Sequence, residues 1–310
     1  MLKCKGISDN LDIEIMNQFS IKDIENLCGI KAHTIRIWEQ RHNILFANRE
    51  KSQHRIYSND DLKKLLQISY LYHHGYKISK IAKLSDQQIH QIVDDESENK
   101  SSNEIYINKL IEAGLDFDKE KFEMILNKVV HRLGLENSLS QVIYPFLNKI
   151  GLFWLTNHII PAQEHFVSHL IQNKIITGTE SLTVNKNSNS IILVFAPAGE
   201  FHEISLLAAN YILKKYHNNT IYFGINTALE SLQYYLEHKK VTCIYTHVVT
   251  SLNNSRLEKY FSQLFELFPH IKIVISGQAG KCIPKTPANL RILSSMDEMI
   301  SFAKEEGSSI

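Results

Sequence analysis

Arg36, Trp38 and Arg41 fall within one short predicted helix, and His42, Arg49, Lys51, His54, Arg55 and Tyr57 follow closely behind them. Phosphate oxygens are held by such a density of guanidinium, ammonium and imidazole groups, and Trp and Tyr can pack on sugar and donate to phosphate. The chain has 310 residues and a formal net charge of only +1. The cluster is therefore local and does not follow from a generally basic composition. Taken alone, the pattern describes a small, basic, helical domain. A solvated charged helix face has the same composition.

The other reactive residue types narrow the classes. Cys4, Cys28, Cys243 and Cys282 are far apart and include no CxxC pair. This argues against a disulfide scaffold or a cysteine-rich metal site and fits a reducing cytoplasm. A metal sensor built on paired cysteines is disfavoured for the same reason. No uncharged apolar run is long enough for a membrane span. Asp9, Asp12 and Glu14 stand where a signal peptide would need its apolar core, so no membrane partner is expected. Apolar residues make up 44% of the chain, enough for two or three cores.

The elements that must position these groups follow from periodicity. Residues 1–18 read as a flexible tail and 19–93 as short helices, an all-α region. Ser20 with Asp23, and Ser58 with Asp61, are helix starts of the capping-box type, and Gly29 is a stop. A second helix is expected from about Ala32 to Arg41. Residues 94–103 are wholly polar and read as a linker. Residues 104–184 read as a four-helix bundle, with Phe122, Ile125, Leu126 and Val129 on one stripe and Val142, Ile143, Phe146 and Ile150 on another. Pro145 should kink the latter, and Pro161 suits a helix start. From 185 to 310, short β-branched runs near 191–195, 220–223, 241–245, 272–275 and 290–293 alternate with helices. That predicts an α/β, doubly wound parallel sheet with ligands at its carboxyl edge.

The segment 19–57 resembles the MerR family of transcription regulators. The resemblance rests on Ser20-Ile21, Gly29-Ile30, Thr34-Ile35-Arg36-Ile37-Trp38-Glu39-Gln40-Arg41, Arg49, and a wing ending His54-Arg55-Ile56-Tyr57-Ser58. It implies a winged helix-turn-helix in which Arg36, Trp38, Arg41, Arg49, Arg55 and Tyr57 face DNA. It also implies dimers on a palindromic double-stranded operator, where two-fold symmetry doubles the phosphate contacts. Arg36 and Arg41 suit either guanine edges or phosphates.

The order of helix-turn-helix, bundle and sheet resembles the cobalamin-binding MerR regulators, a group that includes light-responsive repressors of carotenoid synthesis. Trp154 followed by Glu164-His165 is similar to that group's W-x9-EH signature. Glu200-Phe201-His202 is similar to its E-x-H motif. The resemblance implies that His202 ligates the cobalt of cobalamin, adenosylcobalamin being favoured, and that Trp154, Glu164 and His165 cover the opposite face of the cofactor. It assigns Ser251, in Thr250-Ser251-Leu252, and Gly277 and Gly280, in Gly277-Gln278-Ala279-Gly280, to the rest of the cofactor site. It further implies that the cofactor assembles dimers into a larger oligomer, up to a tetramer. Chemically, neutral imidazole is a good cobalt ligand, and a carboxylate such as Glu200 or Glu203 can fix its tautomer.

Two residues depart from the group's pattern. Ser205 stands where glycine usually follows the histidine motif, and Leu155 stands where light-responsive members carry histidine. A second reading therefore keeps the DNA-binding segment but gives the sheet domain to protein interaction or another ligand. A cobalamin-dependent enzyme is a third reading. No second catalytic domain fits in the remaining length, so a non-enzyme is expected.

Overall fold

The computed structural model describes residues 19–44, 48–49, 55–99, 103–155, 161–183, 190–249, 254–277 and 287–308. The expected tail at 1–18, with Ser251 and Gly280, lies outside them. Two compact units divide the chain at residues 167 and 168.

The first unit opens with β1 (Phe19–Ser20) and α1 (Ile21–Cys28). The Ser20 side chain accepts from the Asp23 backbone N–H, and the Asp23 carboxylate accepts from the Ser20 N–H, so two orphan donors of the helix start are satisfied reciprocally. Gly29, at φ 69°, closes α1 in the left-handed conformation that glycine adopts without a Cβ penalty. Helix α2 (Ala32–His42) follows, then β2 (Asn48–Arg49) and β3 (Arg55–Tyr57). These strands pair antiparallel in the order β1-β3-β2, with Phe19 opposite Tyr57 and Asn48 opposite Ile56. The region expected to be all-α thus carries a small sheet. Strands this short leave too little alternation to read in a sequence. Helix α3 (Asn59–His73) repeats the capping box with Ser58 and Asp61, and α4 (Ile78–Ile81) follows it.

Helix α5 (Asp86–Asn99) contains most of the polar run expected to be a linker. Ile89 and Val93 are buried on its inner face. That anchorage carries the helix on through residues that are polar all round. Helix α6 (Asn103–Leu115) packs on α3. The Lys63 ammonium pairs with Asp116 at 2.6 Å, and the Gln67 amide donates to Glu112 at 3.1 Å. The N-terminal helices with their small sheet and the first bundle helices are accordingly parts of one unit.

Helix α7 (Lys119–Ser138) is interrupted at Gly134 and passes into a π turn, Leu139–Ile143, before α8 (Tyr144–Leu155). The departure from α geometry thus precedes Pro145. Pro145 follows the π turn inside this continuous helical run, where it has no N–H to give the helical ladder, so the irregularity expected from it falls on the residues just before it. Helix α9 (Pro161–Glu180) begins at proline, as expected. The Gln163 amide ties its start to the Leu115 carbonyl at 2.8 Å.

The second unit alternates β4 (Ile191–Pro197), α10 (Glu203–Lys215), β5 (Asn219–Thr227), α11 (Leu229–His238), β6 (Cys243–Val248), α12 (Asn254–Leu267), β7 (Lys272–Gly277), β8 (Leu290–Leu293) and α13 (Met296–Gly307). All strands are parallel, in the order β5-β4-β6-β7-β8. Strands covered by helices on both faces read as unbroken apolar runs, and Ile192 to Ala196 on β4 are fully buried. The strand order reverses between β4 and β6, which opens a crevice at their carboxyl ends.

Candidate functional site

Helix α2 carries the first group of candidate residues. Arg36 and Arg41 are exposed on it. Trp38, expected to face DNA, is only 5% exposed and meets Tyr72 edge-on at 4.9 Å between ring centroids. Tyr57 is fully buried. Its hydroxyl donates to Glu39 at 2.6 Å, and Arg55 Nε donates to the other Glu39 oxygen at 2.9 Å. Burial, reinforced by the Glu39 carboxylate, pushes the Tyr57 hydroxyl well above its usual pKa. Trp38 and Tyr57 therefore build the domain and do not line its surface, because their rings close the core beneath α2. Arg55, its guanidinium half-buried, holds the wing strand to α2 through Glu39. Arg49 lies in β2 opposite Arg55, and its side chain is outside the described residues.

The second group lies at the carboxyl edge of β4. His202 is the N-cap residue of α10, and its side chain is largely exposed. Its Nδ1 is 2.6 Å from Glu200 Oε1, and its backbone N–H donates to the same oxygen at 3.0 Å. Glu200 is almost fully buried. Its second oxygen accepts from the Val249 N–H at 2.8 Å, beyond the end of β6, and its carbonyl accepts from the Asn226 N–H at 3.1 Å, near the end of β5. Asn226 also accepts the Gly199 N–H on its side-chain oxygen at 2.9 Å. Glu200 therefore fixes the turn after β4 to the ends of both neighbouring strands, to β6 through its carboxylate and to β5 through its backbone carbonyl. With the ring proton on Nδ1 toward Glu200, the imidazole lone pair resides on Nε2.

Beneath this edge, Tyr245 and His247 on β6 share the Ser276 hydroxyl of β7, at 2.5 and 2.7 Å. Burial pushes the His247 pKa down to about 4; Glu200 partly opposes this and His202 adds to it. His247 is therefore neutral at pH 7. Gly277 closes β7 at φ 86°, and a Cβ there would lie 2.1 Å from the Val248 carbonyl oxygen. Only glycine fits this position. No sequence pattern pointed to Asn226, Val249 or Ser276, since each meets the site through a strand pairing.

The remaining candidates lie on the bundle helices. Glu164 and His165 are in the first turn of α9, with His165 exposed and its Nε2 3.6 Å from the Glu164 carboxylate. Trp154 is the next-to-last residue of α8, and its side chain is outside the described residues. Among the described residues there is no His/Cys/Asp/Glu cluster able to hold a bare metal ion, and no helix long and apolar enough to cross a membrane.

The donor set suits cobalamin: an imidazole oriented by a buried carboxylate, at the strand-order reversal, beside a glycine cradle. Residues 19–88 match the MerR HTH family regulatory proteins, and residues 106–177 match the B12 binding domain. One stretch of the chain is thus similar to MerR-type regulators and another to a cobalamin-binding domain. The chain is 22% identical over 270 residues to the HTH-type transcriptional repressor CarH of Myxococcus xanthus, covering 85% of this chain and 90% of that one. In fold it is similar to the Methanosarcina barkeri monomethylamine corrinoid protein, with a TM-score of 0.52 and 15% identity, over 66% of this chain and 99% of that one.

Proposed function

We propose that this chain is a regulator that would hold adenosylcobalamin with His202 as a ligand of its cobalt, and that occupancy controls self-association and hence its grip on a palindromic double-stranded operator. The observation that carries the reading is the Glu200–His202 contact at 2.6 Å on the carboxyl edge of β4. Glu200 keeps the proton on Nδ1, which presents Nε2 as a donor atom, and its bonds to the strand ends stop the ring from swinging away. When bound, cobalamin supplies a cobalt ion that accepts such a nitrogen and a cobalt–carbon bond that light can break. Trp154, Glu164, His165, Ser251, Gly277 and Gly280 complete the proposed set of cofactor residues.

Control follows from linkage: if cofactor and operator favour the same assembled state, each strengthens the binding of the other. We assign no turnover to the chain, since its DNA-reading segment has no place in a catalytic cycle, and we place it in the cytoplasm. Resemblance to the repressor named above supports both assignments.

The test is direct. The purified chain is mixed with adenosylcobalamin in the dark and desalted, and its visible spectrum is recorded beside that of His202→Ala. A retained cofactor whose spectrum changes in the variant is expected. Loss of all cofactor from the wild-type chain on desalting would overturn the reading and leave a DNA binder whose sheet unit serves another ligand or a partner.

A further inference from the structure

The outward face of α2 is a single stripe. His33, Arg36, Ile37, Gln40 and Arg41 are its exposed residues, while Ile35 and Trp38 are buried behind it and Glu39 is engaged by the wing. Their spacing, i, i+3, i+4, i+7 and i+8, is that of one face of an α-helix. Among the described residues, the side chains of Arg36, Gln40 and Arg41 have no hydrogen-bond or ion-pair partner. Ile37 is 40% exposed, an apolar side chain in the middle of this polar stripe. Phosphate binding accounts for the two arginines. It does not account for Ile37, which has no donor, and the amide of Gln40, which could also serve a phosphate, stands one helical turn from it.

We infer that Ile37 and Gln40 together read an A·T base pair in the major groove. Adenine presents its N7 acceptor beside its N6 donor, and a glutamine amide offers the matching donor and acceptor. Thymine projects a methyl group that an aliphatic side chain covers. Residues three apart on a helix have Cβ atoms about 5–6 Å apart, so the amide of Gln40 and the side chain of Ile37 can address one base pair at the same time. Contact with the thymine methyl removes Ile37 from water, which gives its exposure in the free protein a purpose. The burial of Trp38 is what turns this stripe outward, since rotating the helix to expose the indole would carry Ile37 and Gln40 away from the surface. The inference rests on α2 being the helix that enters DNA.

The experiment is a selection from random double-stranded oligonucleotides with the full-length chain, with and without adenosylcobalamin, followed by sequencing. Wild type, Ile37→Ala, Gln40→Ala and Gln40→Arg are compared. All four should keep their circular dichroism, as both side chains lie outside the core. The wild type is expected to enrich a half-site with a fixed A·T pair. Gln40→Ala should relax that position about tenfold, Ile37→Ala should weaken the preference for thymine over its unmethylated analogue uracil, and Gln40→Arg should shift the position toward G·C. A wild-type motif that is unchanged in all three variants would overturn the inference while leaving DNA binding intact. A folded wild type that enriches no motif at all would overturn it together with the DNA-reading assignment.

Discussion

The Glu200 carboxylate meets Nδ1 of His202 at 2.6 Å from a position almost completely out of solvent, and with its other oxygen it holds the Val249 N–H at 2.8 Å. Glu200→Gln keeps the shape and an acceptor for Val249 but removes the charge that fixes the imidazole tautomer. Cobalamin retention should fall about 10–100-fold, the usual cost of losing a partner behind a metal ligand. Equilibrium dialysis with the cofactor measures it. Unchanged affinity would remove Glu200 from the site.

Glu39 should act as a structural clamp between α2 and β3. In Glu39→Ala the buried Tyr57 hydroxyl loses its acceptor and Arg55 its partner. Unfolding of the first unit should become easier by about 1–3 kcal/mol. A cycle with Tyr57→Phe should show the two losses to be coupled rather than additive. Urea titrations followed by far-ultraviolet dichroism give both numbers.

Arg36→Ala should weaken DNA binding strongly without unfolding the chain, because the guanidinium is exposed. Affinity of the wild type should fall steeply with salt as counterions are released. If Arg36 holds a phosphate, the logarithmic slope should drop by about one in the variant. A slope that does not change, together with a lost base preference, would place Arg36 on a base edge.

The second unit should lose stability in mild acid through His247. Its folded pKa lies near 4, below the ordinary value of 6.5. Between those values the unfolded chain binds a proton that the folded one refuses. The contribution is therefore fully present above about pH 6.5 and is lost as pH falls toward 4. By linkage the loss is of order 3 kcal/mol. His247→Asn should flatten this part of the stability profile in urea titrations at pH 7 and pH 4.5.

Gly277→Ala should be severe for its size. The added Cβ would press on the Val248 carbonyl at 2.1 Å, and the residue sits at φ 86°. A loss of about 2 kcal/mol or more is expected, visible as a lowered thermal midpoint. Val248→Ala would not relieve it, since the clash is with backbone.

Much of this architecture is local chemistry and is legible in sequence order. The capping boxes at Ser20 and Ser58, the stop at Gly29, the start at Pro161 and the strand Leu290–Leu293 are all set by residues within a turn of each other. The alternation of β-branched runs with helices predicts a parallel sheet, because the inner strands β4, β6 and β7 are largely buried on both faces. The segments 19–57 and 200–202 carry their meaning in residue types at fixed short spacing.

Folding decided what periodicity cannot show. The sequence places Trp38 and Arg36 on the same helix two residues apart, but only packing against Tyr72 and the wing turns the indole inward and the guanidinium outward. The run after residue 93 is as polar as a linker. It is nevertheless largely helical, because Ile89 and Val93 anchor the helix. Glu200 and His202 are neighbours in the chain, yet the bonds that hold Glu200 come from Asn226 and Val249, dozens of residues away. Parallel strands bring such ends together only through long crossover connections, so that pairing lies beyond the reach of any local pattern.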